Sequence, residues 1–489
     1  MPQDSRFFVG VVTVSLVFFL AVIAVGSEAG SKRRNVLFIA VDDMRVQLGC
    51  YGSVDVQSPN IDRLARRGRR FERAYCQQAL CNPSRASLLT GRRPDTLRVW
   101  NLSTHFRDTH ADIVTLPQRF LRSGYFTRDI GKIFHNWRTK IRGDPRSWSV
   151  PAEHHFATHG SDWVYPAGVE RSGGKKEVSQ SLAVEDGAYF DGIIADKAVA
   201  ELRHRAKRDE PFFLAVGFWK PHLPFNAPRR YWKLYDPTKL EIPERLSVPE
   251  GVPDLALHSS RELRGYGGVP KQGEIPRQLV RHLWHGYLAA ISFVDAQVGR
   301  ILDELDRTGL AASTVVVLWS DHGFHLGEHG IWAKTSNFEL DARVPLIIAY
   351  PGIPHAGEST DALVELLDLY PTLVDLCDLP APPGLEGVSL RPVLEDPTGV
   401  VKRGAFTQHP RPAYYGGETP PIMGCSVRTD RFRYTEWRRR KDGKVLAREL
   451  YDHRRDPAEM ENVADAPPDG EAFAEAAALL EERFGAAQQ

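Results

Sequence analysis

Five consecutive residues, Cys81-Asn82-Pro83-Ser84-Arg85, put a potentially reactive thiol at what reads as a helix start. Asn82 is a good N-cap, Pro83 suits the first helical position and Gly91 suits the residue just past the end, so a short capped helix is predicted over residues 83–90. Cys81 would then lie at the positive end of that helix, where free N–H groups lower a thiol pKa and attract an anion. Asp42-Asp43 and Asp321-His322 offer three carboxylates and an imidazole. Such oxygen-rich ligands favour Ca²⁺ or Mg²⁺ over zinc. Lys132 and His135 are three apart and can face the same way on one turn, with His135 suited to proton management near neutral pH. His222, in a Trp- and Pro-rich turn, and Lys334, at the end of the segment opened by Asp321, complete the set of candidates.

The elements that must position these residues are legible as periodicity. Residues 35–41, 211–217 and 314–320 are continuous apolar runs of the kind found in strands covered on both faces, and each leads into one of the polar clusters. Residues 345–350 are expected to join the same sheet. Helical stretches are expected at 61–67, 192–206 and 277–306, the last with Leu288, Ile291, Val294, Val298, Ile301 and Leu305 on one face. Alternating strands and helices predict an α/β core, with ligands bound beyond the C-terminal ends of the strands. Pro and Gly crowd residues 380–399, suggesting a long connection or domain edge. Beyond it, a hairpin over 424–437, a turn at Asp442-Gly443, a further strand at 444–451 and a helix at 471–484 with Phe473, Ala477, Leu480 and Phe484 on one face predict a smaller antiparallel α+β subdomain.

A chain of 489 residues predicts more than one domain, divided here into 1–29, 30–400 and 401–489. With 63 Lys and Arg against 62 Asp and Glu, global charge does not indicate a nucleic-acid partner, although a local basic pocket for an acidic small substrate stays open. Residues 7–25 are almost wholly apolar, follow Arg6 and precede small residues at 24–30, which reads as a secretory signal. Lys32-Arg33-Arg34 leaves an uncleaved anchor as the alternative; either way the remainder is exported. Five cysteines do not make a disulfide scaffold, and the four besides Cys81 (Cys50, Cys76, Cys377, Cys425) admit three pairings. Asn101-Leu102-Ser103 is a sequon for a host that glycosylates.

The Cys81 segment matches the C-x-P-S-R signature of the type I sulfatases, members of the alkaline phosphatase superfamily. Gly131-Lys132-Ile133-Phe134-His135 fits that family's G-K-x-x-H segment, and residues 217–225 resemble the segment that supplies a His to the sulfate. Residues 321–334 are similar to its D-H-G-x-x-L-G-E-H-G-x-W-x-K run. The matching segments extend from Asn35 to Glu449-Leu450-Tyr451, and their order looks most like the iduronate 2-sulfatase branch. Residues 142–184 and 391–419 resemble the family least.

The resemblance implies an alkaline phosphatase-like fold: a large, mostly parallel mixed sheet flanked by helices. It implies that a formylglycine-generating enzyme converts Cys81 to Cα-formylglycine, and that Asp42, Asp43, Asp321, His322 and the residue at 81 bind Ca²⁺, with Mg²⁺ less favoured. One hydroxyl of the aldehyde hydrate, held by metal and Arg85, would attack the sulfur of a sulfate ester; the other, losing its proton to His135, would expel sulfate. Lys132, His222 and Lys334 would bind the sulfate, Lys334 on the leaving-group side. The substrate class so implied is a sulfated polysaccharide or glycosaminoglycan fragment. A thiolate phosphatase would instead need Arg six positions after the cysteine, where Ser87 stands. Two rivals remain: a phosphonate or phosphate ester hydrolase of the same superfamily, and a non-catalytic exported binding protein in which Cys81 stays a thiol.

Overall fold

Asn35–Asp42 is buried along its whole length because successive side chains enter different cores on the two faces of one sheet. Leu37, Ile39 and Val41 belong to one core and Val36, Phe38 and Ala40 to the other. The computed structural model describes residues 1, 33–135, 139–155, 177–243 and 246–485. The apolar run at 7–25, and with it the signal or anchor, lies outside them. No helix among the described residues is long and apolar enough to cross a membrane.

Eight strands make the large sheet: Asn35–Asp42 (β1), Arg69–Tyr75 (β2), Phe126–Gly131 (β3), Phe212–Pro221 (β4), Thr314–Ser320 (β5), Arg343–Val344 (β6), Leu346–Ala349 (β7) and Ser359–Glu365 (β8). β1 is central, paired in parallel with β5 on one side and β4 on the other, and β3 continues in parallel beyond β4. Past β5 the direction reverses at β7, which is antiparallel to both β5 and β2; β6 is also antiparallel to β2, and β8 parallel to it. The sheet is thus mixed but mostly parallel, and the run at 345–350 joins it as the reversed strand.

The main helices are Cys81–Thr90 (α1), Phe190–Arg205 (α2), Arg277–Arg307 (α3) and Gly470–Phe484 (α4). The stripe expected on α3 packs with Leu37, Ile39 and Val41, whereas Leu88 and Leu89 of α1 pack on the opposite face with Phe38 and Ala40. Ala405–Arg411 (β9), Ile422–Arg428 (β10), Phe432–Arg439 (β11) and Val445–Asp452 (β12) form a four-stranded antiparallel sheet in chain order. α4 covers it, but the buried residues are Ala476, Leu479, Leu480 and Phe484, with Phe473 and Ala477 only partly covered. The stripe therefore sits slightly to one side of the expected one: Met423, Val427 and Phe432 of the sheet meet the helix there.

All five cysteines are thiols. Asn101 is 5% exposed, and its side-chain oxygen accepts from the backbone N–H groups of Ser103 and Thr104 at 2.9 and 2.8 Å, so the sequon is a buried turn rather than an open glycan acceptor.

Candidate active site

The register of four parallel strands brings the sequence candidates together. Val41 lies opposite Ser320, so the end of β1, carrying Asp42 and Asp43, is level with the end of β5, carrying Asp321 and His322. On the other side Asp42 lies opposite Pro221 at the end of β4, next to His222. Gly131 of β3 lies opposite Gly217 of β4, and the Lys132 N–H donates to the Gly217 carbonyl at 2.8 Å. A Cβ at Gly217 would fall on the Lys132 carbonyl, and Gly131 has a φ of 96°, so both glycines are needed for this approach. Lys132 and His135 therefore follow a strand through a bend rather than sharing a helical turn.

α1 supplies the remaining groups, and it begins two residues before the predicted start. Leu80 is its N-cap, without a side-chain cap; Gly91 closes it at φ 66°. Asn82 does not cap because its amide donates to the Asn101 and Thr104 carbonyls, both at 2.8 Å. Cys81 is thus the first residue of the helix, 3% exposed. Its thiol is not activated as the helix start alone would suggest: burial, reinforced by the Asp42 charge, pushes its pKa well up.

The Cys81 sulfur lies 3.3 Å from His322 Nε2 and 3.9 Å from Asp43 Oδ1, and those two atoms are 3.3 Å apart. Ligand atoms about 2.4 Å from a common ion at right angles are separated by roughly 3.4 Å, so this triangle has dimensions compatible with a shared divalent metal. His322 Nδ1 is 2.9 Å from the Gly323 carbonyl, which accepts its proton and leaves the Nε2 lone pair facing the cluster. One ligand atom each from Asp42, Asp43, Cys81 and His222 lie within 4.8 Å of one another, as do atoms from Cys81, Asp321 and His322. Three carboxylates, two imidazoles and residue 81 make up this donor set, and residue 81 is the member shared by both groups.

The cations are held by those same acids. Arg85 donates through Nε to Asp321 Oδ2 at 2.8 Å and through Nη2 to Asp42 Oδ1 at 3.1 Å, with Nη1 on the Lys132 and Ile133 carbonyls. The Lys132 ammonium contacts Asp42 Oδ2. Burial would raise the Asp42 pKa, but Lys132 and then Arg85 outweigh it and hold it well below the ordinary range. Asp43 is different: burial pushes it up to about 7 against the pull of Lys334, whose ammonium is 2.7 Å away. His135 is 8% exposed, and neither ring nitrogen has a hydrogen-bond partner among the described residues. Burial and then the Lys132 charge keep it neutral, with its pKa pushed well down.

Two residues with no sequence signal belong to the same cluster. Glu262 accepts from Lys334 Nζ at 2.8 Å, and its other oxygen accepts from the Tyr414 hydroxyl at 2.6 Å; His222 Nε2 is 3.3 Å from it. Glu262 lies in a loop outside every matching motif, and Tyr414 falls within the region of least resemblance. Lys334 itself is presented by a strained segment: Ala333 and Thr335 have φ of 75° and 91°, which a β-branched residue such as Thr adopts only under constraint.

Parallel strand ends that gather hard acids, basic groups and a helix-borne residue 81 define a class: a hydrolase built on an α/β sheet, shaped for an anionic ester beside acids able to hold a metal. Comparison with known proteins narrows the class. A profile described as Sulfatase matches residues 34–379, and one for the C-terminal part of N-sulphoglucosamine sulphohydrolase matches 327–486. Iduronate 2-sulfatase of Homo sapiens is 35% identical, covering 96% of this chain and 98% of its own. A solved structure in complex with its substrate D-glucosamine-2-N,6-O-disulfate superposes with a TM-score of 0.74 at 26% identity, over 94% of this chain and 98% of that one. The phosphonate monoester hydrolase of Agrobacterium radiobacter gives 0.73 at 25%, over 93% and 95%. The chain belongs to the sulfatase family and is a sulfuric ester hydrolase, similar over nearly its whole length to iduronate 2-sulfatase.

Proposed function

We propose that this protein is an exported, formylglycine-dependent sulfatase that uses Ca²⁺ and acts on sulfated polysaccharide or glycosaminoglycan fragments. The observation that carries this reading is the convergence of residue 81 with Asp43 and His322 at ion-sharing distances, beside a thiol whose pKa burial has raised. Such a thiol is a poor nucleophile and a reasonable precursor. Once in place, the aldehyde hydrate at 81 supplies an oxygen nucleophile and the metal supplies Lewis acidity. Asp42, Asp43, Asp321 and His322 would hold the ion, while Arg85 fixes Asp42 and Asp321 in place. Lys132, His222 and Lys334 would bind the sulfate oxygens, stabilising charge as the ester bond breaks. A ring nitrogen of His135, neutral and unpartnered among the described residues, would accept the hydrate proton. The substrate class is supported by similarity to iduronate 2-sulfatase and to the disulfated-glucosamine complex, and export by the apolar run at 7–25. The division at residues 29 and 400 belongs to the same proposal.

Likeness to a phosphonate monoester hydrolase favours one rival. Mass spectrometry of the Cys81 peptide, combined with turnover of matched aryl sulfate and aryl phosphate or phosphonate esters, separates the readings. An aldehyde at 81 and preference for sulfate are expected. An unmodified thiol throughout the protein would exclude the mechanism and point to the non-catalytic reading, and preference for the phosphorus esters would establish the rival.

A further inference from the structure

Glu262 brings a negative charge into a site whose purpose is to bind an anion, and nothing in the mechanism uses it. Its side chain is 10% exposed and is held by Lys334 and Tyr414, with His222 Nε2 3.3 Å away. Burial would raise its pKa, but Lys334 outweighs burial and holds it ionised. It is absent from the two groups in this site able to hold a metal, which draw on Asp42, Asp43, Cys81, His222, Asp321 and His322. Of the two acids on Lys334, Asp43 lies in a group that could share an ion, whereas Glu262 contacts Lys334 and Tyr414 and lies beside His222. A buried carboxylate in that position lowers the positive potential felt by a bound ester, whatever the ion beside it contributes.

We propose that Glu262 is a specificity-determining residue that matches the site to a singly charged ester and penalises a doubly charged one. The inference rests on the sulfatase reading above. A sulfate monoester carries one negative charge, whereas a phosphate monoester carries two above its second pKa of about 6. Overall size and tetrahedral geometry are nearly shared, so charge is a property by which a rigid site can reject the dianion. Tyr414 completes the device by donating to the oxygen that Lys334 leaves, keeping the carboxylate aimed at the ammonium rather than turned to solvent.

The test compares wild type, Glu262→Gln and Glu262→Asp in their mature, metal-loaded forms, with matched aryl sulfate and aryl phosphate and with methyl sulfate, a monoanion, and methyl phosphate, a dianion above its second pKa, as thermal protectants. Glu262→Gln is expected to raise the phosphate-to-sulfate ratio of kcat/KM by roughly tenfold or more, and to shift protection towards phosphate in the same sense. Glu262→Asp, which keeps the charge, should keep the wild-type ratios even where its turnover falls. Equal loss on both esters in Glu262→Gln, or the same ratio change in Glu262→Asp, would overturn the proposal and leave Glu262 a loop staple. Wild type without sulfate turnover would defeat the sulfatase reading instead, and the anion-protection ratios would still decide the role of Glu262.

Discussion

At Cys81 two effects of opposite sign meet: the free N–H groups of the α1 start favour an anion, whereas removal from water and the neighbouring Asp42 carboxylate disfavour one. Burial is the larger, and the thiol is pushed up. The side chain is small and makes few contacts whose loss would cost much, so Cys81→Ser should leave the melting temperature nearly unchanged while abolishing sulfate ester turnover. A serine variant with wild-type turnover would refute the precursor role. Its acidic neighbours are a separate matter. Asp42, Asp43 and Asp321 are all fully buried, and Asp43 is raised to about 7 because burial outweighs the pull of Lys334, its single strong cation, whereas Asp42 has two. Binding of Ca²⁺ should therefore stabilise the fold, by about 2.7 kcal/mol at a hundredfold excess over Kd. Thermal melts with Ca²⁺, Mg²⁺ and a chelator would show it; equal melting with and without the ion would count against the ligand set. The convergence of Asp42, Asp43, Asp321 and His322 was legible in residue type and motif spacing, since strand ends in a parallel sheet must lie side by side. Glu262 and Tyr414 were illegible because loops brought them in, and loop paths leave no periodic trace.

Elements carry the second lesson, because the apolar runs and the 3.6-residue stripe of α3 are imposed by burial and so are written in the sequence, whereas helix starts and bends are set by local competition. Asn82 is a good N-cap by type, yet two carbonyls from residues 101 and 104 claim its amide, and the helix begins earlier. Lys132 and His135 looked like one turn of helix by spacing, but the left-handed Gly131 and the close passage of β4 produce a bend. That passage can be tested. Gly217→Ala would place a methyl on the Lys132 carbonyl with backbone on both sides, so β3 and β4 must separate locally. The expected outcome is a loss of about 1–3 kcal/mol in stability, typical of overpacking, with a larger proportional loss of kcat/KM because Lys132 moves. Urea unfolding and steady-state kinetics on the same preparation would measure both, and unchanged kinetics in a destabilised variant would mean that Lys132 is not positioned by this contact.

On the scale of the whole molecule, the antiparallel sheet is fastened to the core partly by a buried ionic cluster. Arg433 of β11 donates through Nη2 to Glu339, in the segment leading from Lys334 to β6, and through Nε to Glu459 at 2.8 Å. His453 Nε2 lies 2.9 Å from the same Glu459 oxygen, and the Glu459 Oε2 accepts the Glu339 N–H at 2.7 Å. Burial would raise both acids, but Arg433 outweighs it and depresses the pKa of each. A depressed acid contributes stability above its unfolded pKa, of about 4.3 for Glu, and loses that contribution as pH falls through the lower folded value. Arg433→Met removes the cation and leaves two carboxylates in a space that is 1% exposed at the arginine, so a loss of about 3–5 kcal/mol is expected at pH 7. In the variant those acids keep their weaker ionic partners, Arg428 at 3.6 Å from Glu339 and His453 beside Glu459, and their folded pKa values rise, so they take up protons earlier than in the wild type. The gap between variant and wild type should consequently shrink as pH is lowered from 7 towards 4, which urea midpoints across that range would reveal. A gap that stays constant with pH would show that Arg433 contributes packing against Tyr75, whose ring lies 5.5 Å from its guanidinium, rather than charge neutralisation.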